Sequence, residues 1–445
     1  MDYVVMAGQL FLSLSILIVL HEMGHFFPAK WFDTRVEKFY LFFDPWFELF
    51  KIKKGETEYG IGWLPLGGYV KISGMIDESM DREQMKQPPQ PWEFRSKPAW
   101  QRLIIMLGGV TVNFILGFIL FGLVLWNWGE EYLPNENAIY GIHVDSIGLD
   151  IGLQNGDKIV AIDGVHIDKF GGNQLRRAII INDAKTVTVK RNGKNQTLNI
   201  DEKFVDILSR FENKEMQIFT TRLPFIIQSV VDTAAAGKAG FQKGDQVIAL
   251  NGSPTPFYDN FSQLAKQNKG RSVSVSILRN KKDTITKQLV LSARGKIGAY
   301  REAAPFFFET KIQEYSLSEA IPAGFVKGWN FLTDQIKAFG QIFRGKIKAS
   351  ESLGGFGSIA GMFDVTWDWH RFWTMTAVLS LILGFMNLLP IPALDGGHVM
   401  FLLYEVVSGR KPSDKFMEYA TIIGFVIVIA LVLFANYQDI RRFFF

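Results

Sequence analysis

The stretch "ILIVLHEMGHFFP" (16–28) places two histidines and a glutamate at the end of an apolar run. His21 and His25 are four residues apart, so a helix carries both imidazoles on one face. Two nitrogens at that spacing can reach one divalent metal, usually zinc, with Glu22 beside them as a candidate general base. Chance is the alternative, but the chain has only 6 His in 445 residues, and a random HExxH is expected in well under ~1 such chain in 100. Zinc needs a third protein ligand and an open position for water. In "NLLPIPALDGGH" (387–398), Asp395 and His398 follow an apolar segment, and either could supply that ligand. Pro390 and Pro392 break a helix and Asp-Gly-Gly is a turn signal, so a turn or cap is the plain reading of Asp395 taken alone. That reading weakens because both segments reach the same depth on the same side of a membrane.

The elements that must position these residues are apolar spans. Val4 to Leu20 carries no charge, and the helix can continue through the motif to Phe27 before Pro28 disturbs it. About 20 apolar residues span a bilayer. No basic residue precedes this run and no small-residue cleavage pattern follows it, so it reads as a retained span rather than a signal peptide. Leu103–Trp126, with Asn113 as a polar point, Thr374–Leu389, with Asn387 near its end, and Ala420–Ala435 are three further spans. Ionisable groups at membrane depth usually mark function. Three basic clusters place 30–100 and 405–416 in the cytoplasm: Lys30, Arg35 and Lys38; Arg95, Lys97 and Arg102; and Arg410, Lys411 and Lys415. Arg441 and Arg442 disagree but are outvoted. Both termini and 129–372 then lie outside the cytoplasm, and the zinc site lies near its cytoplasmic side.

Composition agrees with a chain that is part membrane and part soluble. It is 48% hydrophobic and 21% charged, between the values for purely embedded and ordinary soluble proteins. A net charge of +4 is small for the length and argues against a nucleic-acid surface. With no Cys there are no disulfides and no Cys-ligated zinc.

The long insert contains an internal repeat. "GLQNGDKIVAIDG" (152–164) aligns without a gap with "GFQKGDQVIALNG" (240–252), at an offset of 88 residues. Each copy has a Gly-Asp turn, a β-rich stretch and a Gly-terminated turn, and the pattern resembles bacterial PDZ domains. Such modules bind peptides by adding a strand to a sheet edge; a pair of ligand-free β spacers is the alternative. Residues 315–345 show helical spacing of apolar residues, which suits an amphipathic helix on the outer leaflet or one packed on the PDZ pair.

HEMGH in the first span, two PDZ repeats between spans two and three, and N-L-L-P-x-P-x-L-D-G-G (387–397) after span three together resemble the site-2 protease family of intramembrane zinc metalloproteases. Within it the chain is similar to the RseP-type regulators of envelope stress, over essentially its whole length. The resemblance implies zinc held by His21, His25 and Asp395, Glu22 as base, and Asn387 contacting substrate near the cleavage site; His398 remains the runner-up ligand. "GETEYGIGWLPLGGYVKISGM" (55–75) matches the family's re-entrant β-structure beside the active site. On its own terms it reads as two short strands broken by Pro65 and Gly67-Gly68, tolerated at membrane depth where protein or water surrounds them. Its open edge, with Gly60, Ile61, Gly67, Gly68 and Tyr69, would hold an unwound substrate. Where many relatives have a Gly-Phe-Gly-type element upstream, this chain has "LFFDPWFELF" (41–50), which reads equally as an aromatic interfacial anchor.

The expected architecture is a multi-pass α-helical membrane protein with four transmembrane helices, a re-entrant β segment and two β-rich extracytoplasmic PDZ domains. Its parts are 1–29, the first span; 30–99, the cytoplasmic-side region; 100–128, the second span; 129–212 and 213–300, the PDZ domains; 301–372, a linker with the amphipathic helix; 373–404, the third span and LDGG motif; 405–416, a cytoplasmic loop; and 417–445, the fourth span. The expected activity is zinc-dependent cleavage within the membrane of single-pass proteins, anti-sigma-factor-like or signal-peptide remnants, after a first cut. The protein is expected to be a monomer in the inner membrane and to bind no nucleic acid. A transporter would also use intramembrane His, Asp and Asn, but no inverted repeat is visible. A catalytically idle PDZ scaffold would have no need of Glu22.

Overall fold

The computed structural model describes residues 2–75, 87–214, 216–348, 350 and 353–444. Part of the expected cytoplasmic-side region, 76–86, lies outside the described residues. The chain divides into two compact units, one of Met1–Gly129, Glu314–Ile336 and Leu353–Phe445 and one of Glu130–Gln313 and Lys337–Ser352.

The first unit is built on helices α1 (Asp2–Trp31), α2 (Ala99–Trp128), α3 (Leu317–Phe343, of which the part through Ile336 belongs here), α4 (Trp369–Leu388), α5 (Asp395–Ser408) and α6 (Asp414–Phe444). Among the described residues four segments are long and apolar enough to cross a membrane: Val4–Trp31, Ala99–Trp128, Trp369–Leu388 and Lys415–Arg442. They fall where the apolar runs put them. α1 continues past Pro28 to Trp31; the proline removes the bond its N–H would make to Gly24 O, and that carbonyl lies instead against Gly108.

Every fourth residue of α1 faces inward. Gln9, Ser13, Leu17, His25 and Ala29 are all buried, as a 3.6-residue period demands of one stripe. Gln9 Nε2 donates to Asp364 O at 2.7 Å and Ser13 Oγ meets Thr376 Oγ1 at 3.0 Å, which ties α1 to α4 and the segment before it. α2 approaches α1 more closely still. A Cβ on Gly108 would stand 1.8 Å from Gly24 O, so nothing larger than glycine fits there.

Two long strands lie between α1 and α2 in sequence, β1 (Val36–Lys54) and β2 (Thr57–Ile72). Both bend, and together they form four ladder segments. Lys38–Leu41 pairs with Lys71–Gly68 on one side and with Glu58–Ile61 on the other, while Glu48–Lys54 pairs with Gly62–Thr57. The bends use left-handed backbone at Phe42 (φ 69°), Trp46 (φ 71°) and Gly67 (φ 156°). Two expectations change here. Residues 55–75 hold one continuous strand rather than two short ones, because the bends are absorbed within the ladder. The 41–50 run is strand, not only an aromatic anchor, although Trp46 is 92% exposed and Phe47 55%.

The second unit holds two β-rich cores. In one, antiparallel strands run in the order 165–166, 158–162, 186–191, 194–199; in the other the order is 253–254, 246–250, 272–279, 283–290. Helices Gly172–Asn182 and Tyr258–Gln267 cover them, burying Leu175 and Ile179 in one and Phe261 and Ala265 in the other. The repeat extends to an ion pair. Arg191 grips Asp157 with two hydrogen bonds of 2.8 and 2.7 Å and reaches Gly152 O, and Arg279 does the same to Asp245 and Gly240 O. Each partner is displaced by the same 88 residues as the sequence repeat. The first core includes Phe219, beyond the expected boundary at 212, because Phe219–Thr221 pairs with Ile142–Val144.

Candidate metal centre and its cavity

His21 and His25 project from the inward stripe of α1 as the sequence requires. The third component arrives from the far end of the chain. α4 ends at Leu388, the chain turns through Pro390, Pro392 and Ala393 (φ 97°), and Asp395 opens α5. Gly396 and Gly397 allow that turn: a Cβ on either would stand 2.3–2.7 Å from main-chain atoms of 388–392. Asp395 is therefore the first residue of a helix rather than a turn residue, at the end where a carboxylate is favoured.

His21 Nε2 and His25 Nε2 are 3.3 Å apart, and Asp395 Oδ2 lies 3.3 Å from the first and 3.4 Å from the second. Metal–ligand bonds of about 2.0–2.1 Å in a tetrahedron give edges of about 3.3 Å, so the triangle matches one face of such a site. Asp395 Oδ2 is buried with no hydrogen-bond partner, a costly state for a carboxylate oxygen that a cation would relieve. His25 Nδ1–H donates to Ile105 O at 2.8 Å, which leaves Nε2 with its lone pair toward the cluster. These residues fit a zinc ion. His398, the runner-up, is one turn further along α5 and outside the cluster, although it lines the same cavity.

That cavity has a volume of about 900 Å³. His21, Glu22, His25, Asn387 and Asp395 line it beside apolar residues such as Leu17, Phe43, Leu64 and Phe425. The Val70 N–H faces the Glu22 carboxylate. Asn387 Nδ2 lies 3.4 Å from His21 Nε2. The segment Gly67–Ile72 of β2 forms one wall, and a Cβ on Gly68 would stand 2.6 Å from Ile18 and 3.7 Å from the Glu22 side chain. Gly67, Gly68 and Tyr69 line the cavity. Gly60 and Ile61 do not: they are enclosed in the ladder, Gly60 between Tyr40 and Lys51 and Ile61 between Leu41 and Phe50. At the rim, Asp44 accepts from Tyr69 Oη at 2.8 Å and from Lys38 Nζ at 3.2 Å. Burial pushes the Asp44 carboxyl up, but these two donors outweigh it and hold the group below the usual carboxylate range.

Three features were not read from the sequence. Asn113 was no more than a polar point in a span, yet its side chain lies 3.1 Å from His21 Nδ1. Its spacing of four from Gly109, which packs against both histidines, is the signal that could have found it. The placement of the Val70 N–H against Glu22 and the ion pair between Arg102 of α2 and Glu405 of α5 had no local signal at all.

An HExxH helix inside an apolar bundle, completed by an aspartate from a distant helix start, defines the class. The chain matches the model of peptidase family M50 over residues 9–431, and it belongs to that family: it is a site-2-type zinc metalloprotease. Its similarity to individual relatives spans nearly the full length. It is 28% identical over 451 residues to the regulator of sigma-E protease RseP of Escherichia coli K12, covering 97% of each chain. It is 26% identical over 462 residues to the regulator of sigma E protease of Haemophilus influenzae, covering 99% of this chain and 100% of that one. A Neisseria meningitidis protein whose name describes a zinc metalloprotease is 26% identical over 451 residues, covering 97% of each.

Proposed function

We propose that this membrane protease cleaves the transmembrane segments of single-pass proteins after another protease has removed their outer part. The observation that carries the reading is the 900 Å³ cavity, which brings the His21–His25–Asp395 triangle, Glu22 and an exposed strand edge together among apolar walls. His21 and His25 would hold zinc through Nε2 and Asp395 would hold it through Oδ2. When bound, zinc supplies Lewis-acid chemistry, lowering the pKa of water to ~7 and polarising a carbonyl. Glu22 takes the proton from the attacking water and passes it to the leaving nitrogen. Asn387 contacts the substrate beside the cleaved bond.

A transmembrane helix hides its peptide bonds in its own ladder, so the substrate must unwind. Val70 N–H points toward Glu22 and away from β1, and main-chain groups alternate sides along a strand. Gly68 and Val70 therefore share the outward edge, and an unwound segment pairing there regains part of what its helix loses, about 0.5–1.5 kcal/mol per hydrogen bond. The basic clusters put this site near the cytoplasmic side of the inner membrane, with the termini and the two β-rich cores outside. Those cores are read as PDZ domains, and the β1–β2 sheet as the re-entrant element. The proposed substrates are anti-sigma-factor-like single-pass proteins and signal-peptide remnants of similar build, a reading that relatives named as regulators of sigma E support. The enzyme works as a monomer in the bilayer and uses no nucleic acid.

The test is to incubate the purified protein with a panel of single-pass substrates, with and without a zinc chelator, and to sequence the products. Chelator-sensitive cuts inside the apolar segment are expected. Cuts confined to soluble loops would overturn the transmembrane-substrate reading, and no cuts in zinc-loaded protein would overturn it in favour of a transporter or a scaffold.

A further inference from the structure

His25 and His21 both aim Nε2 at the cluster, but their other nitrogens meet different partners. His25 Nδ1 faces a main-chain carbonyl, which can only accept, so its proton is fixed there. His21 Nδ1 faces the side-chain amide of Asn113, which can either donate or accept. With Nδ2 toward the ring, at 3.1 Å, the amide donates to Nδ1 and forces the proton onto Nε2, where no metal could then bind. With Oδ1 toward the ring, Nδ1–H donates to the amide and Nε2 is left free. The two orientations have the same shape and differ only in which atom is oxygen. In either, one end of the amide lacks a protein partner, as Oδ1 does here, so partnering does not choose between them. The need for a lone pair on Nε2 does.

We infer that Asn113 is a positioning residue that fixes the metal-binding tautomer of His21 by accepting its Nδ1–H. The inference rests on the zinc-site reading given above. The surroundings are built for it. Asn113 is completely buried, its carbonyl accepts from Ser380 Oγ at 2.7 Å, and Gly384 of α4 leaves its Cβ only ordinary contact room, 3.4 Å from an added methyl. One turn earlier on α2, Gly109 lets the two imidazoles approach: a Cβ there would stand 2.4 Å from His25 Nε2 and 2.6 Å from His21 Cε1. The backbone thus holds the amide against the ring, and the amide leaves the ring one productive tautomer.

The experiment measures zinc affinity by chelator competition on purified, detergent-solubilised full-length protein, beside the thermal midpoint of the zinc-free form. Asn113→Leu, which keeps bulk but cannot accept, is expected to weaken zinc binding about 10–100-fold with the zinc-free midpoint unchanged. Asn113→Asp, which accepts but cannot donate, is expected to bind zinc as the parent does. Zinc affinity within twofold of the parent for Asn113→Leu, or equal losses in both variants, would overturn the inference. If Asn113→Leu does not fold, Asn113→Ala takes its place with the same expected loss and the same overturning result. His21→Ala separates the two readings: if it retains parent-like affinity, the zinc site itself is wrong, whereas loss in His21→Ala with none in Asn113→Leu removes only the role of Asn113.

Discussion

Arg102 Nη2 and Glu405 Oε1, 303 residues apart in sequence, meet at 2.5 Å. Arg102 lies in the first turn of α2 and Glu405 in the last of α5, and Arg102 Nε also donates to Lys97 O at 2.9 Å. α5 carries Asp395 at its other end, so this pair fixes the helix that delivers the third ligand. Arg102 is buried and Glu405 partly buried, so removing Arg102 leaves the Glu405 carboxylate partly desolvated and unpaired at a cost of about 1–3 kcal/mol. Arg102→Met should therefore lower the thermal midpoint and weaken zinc binding together, while Arg102→Met/Glu405→Met recovers most of the midpoint. Additive losses in that double-mutant cycle would show that the two side chains act independently.

Glu22 lies beside the ligand triangle but contributes no atom to it. Glu22→Gln preserves shape and removes the capacity to take a proton from water. Zinc content is expected to stay at the parent level while cleavage falls about 10²–10⁴-fold. Metal analysis on the sample used for the activity assay checks both parts; loss of zinc would make Glu22 a structural residue instead.

Asp395 Oδ2 stands within 3.4 Å of both imidazoles, whereas His398 lines the cavity from the next turn. Asp395→Ala is expected to leave the protein substoichiometric in zinc, and His398→Ala to keep it loaded. Because a ligand that binds only the folded state stabilises it, chelation should lower the thermal midpoint of the parent and of His398→Ala but leave Asp395→Ala unmoved. The reverse ranking would assign the third ligand to His398.

What the sequence made legible follows from the range of the interactions. HExxH and LDGG are local patterns whose spacing already fixes a helix face and a chain turn, and long apolar runs announce themselves. The β1–β2 sheet was misjudged because its bends put non-glycine residues, Phe42 and Trp46, in left-handed backbone, and because an aromatic run suits a membrane interface as well as a strand. Pairing Lys38–Leu41 on both sides at once is a tertiary choice with no composition signal. Asn113 failed for a similar reason: its partner His21 is 92 residues away, and a lone amide in a span reads as tolerated polarity.

At the strand edge, the ladder decides which main-chain groups a substrate can reach. Ile61, expected on the open edge, is flanked by Leu41 and Phe50, and Tyr69 sits on the parity of β2 whose N–H turns toward Tyr40. Proline at either position would damage the sheet itself. Gly68 is on the outward parity with Val70, but a proline or any Cβ there collides with Ile18 and with Tyr40 O. Removing its N–H without adding an atom, by an amide-to-ester change with glycolic acid at position 68, isolates the donor. If substrate pairs with this edge, kcat/KM for a transmembrane substrate should fall about 2–10-fold, the worth of one hydrogen bond, with zinc content unchanged. The same backbone change at Ile61 should alter stability more than turnover, because its main chain serves only the internal ladder. An ester at Gly68 that leaves kcat/KM at the parent value would mean that the substrate is held by side chains in the cavity and not by strand addition.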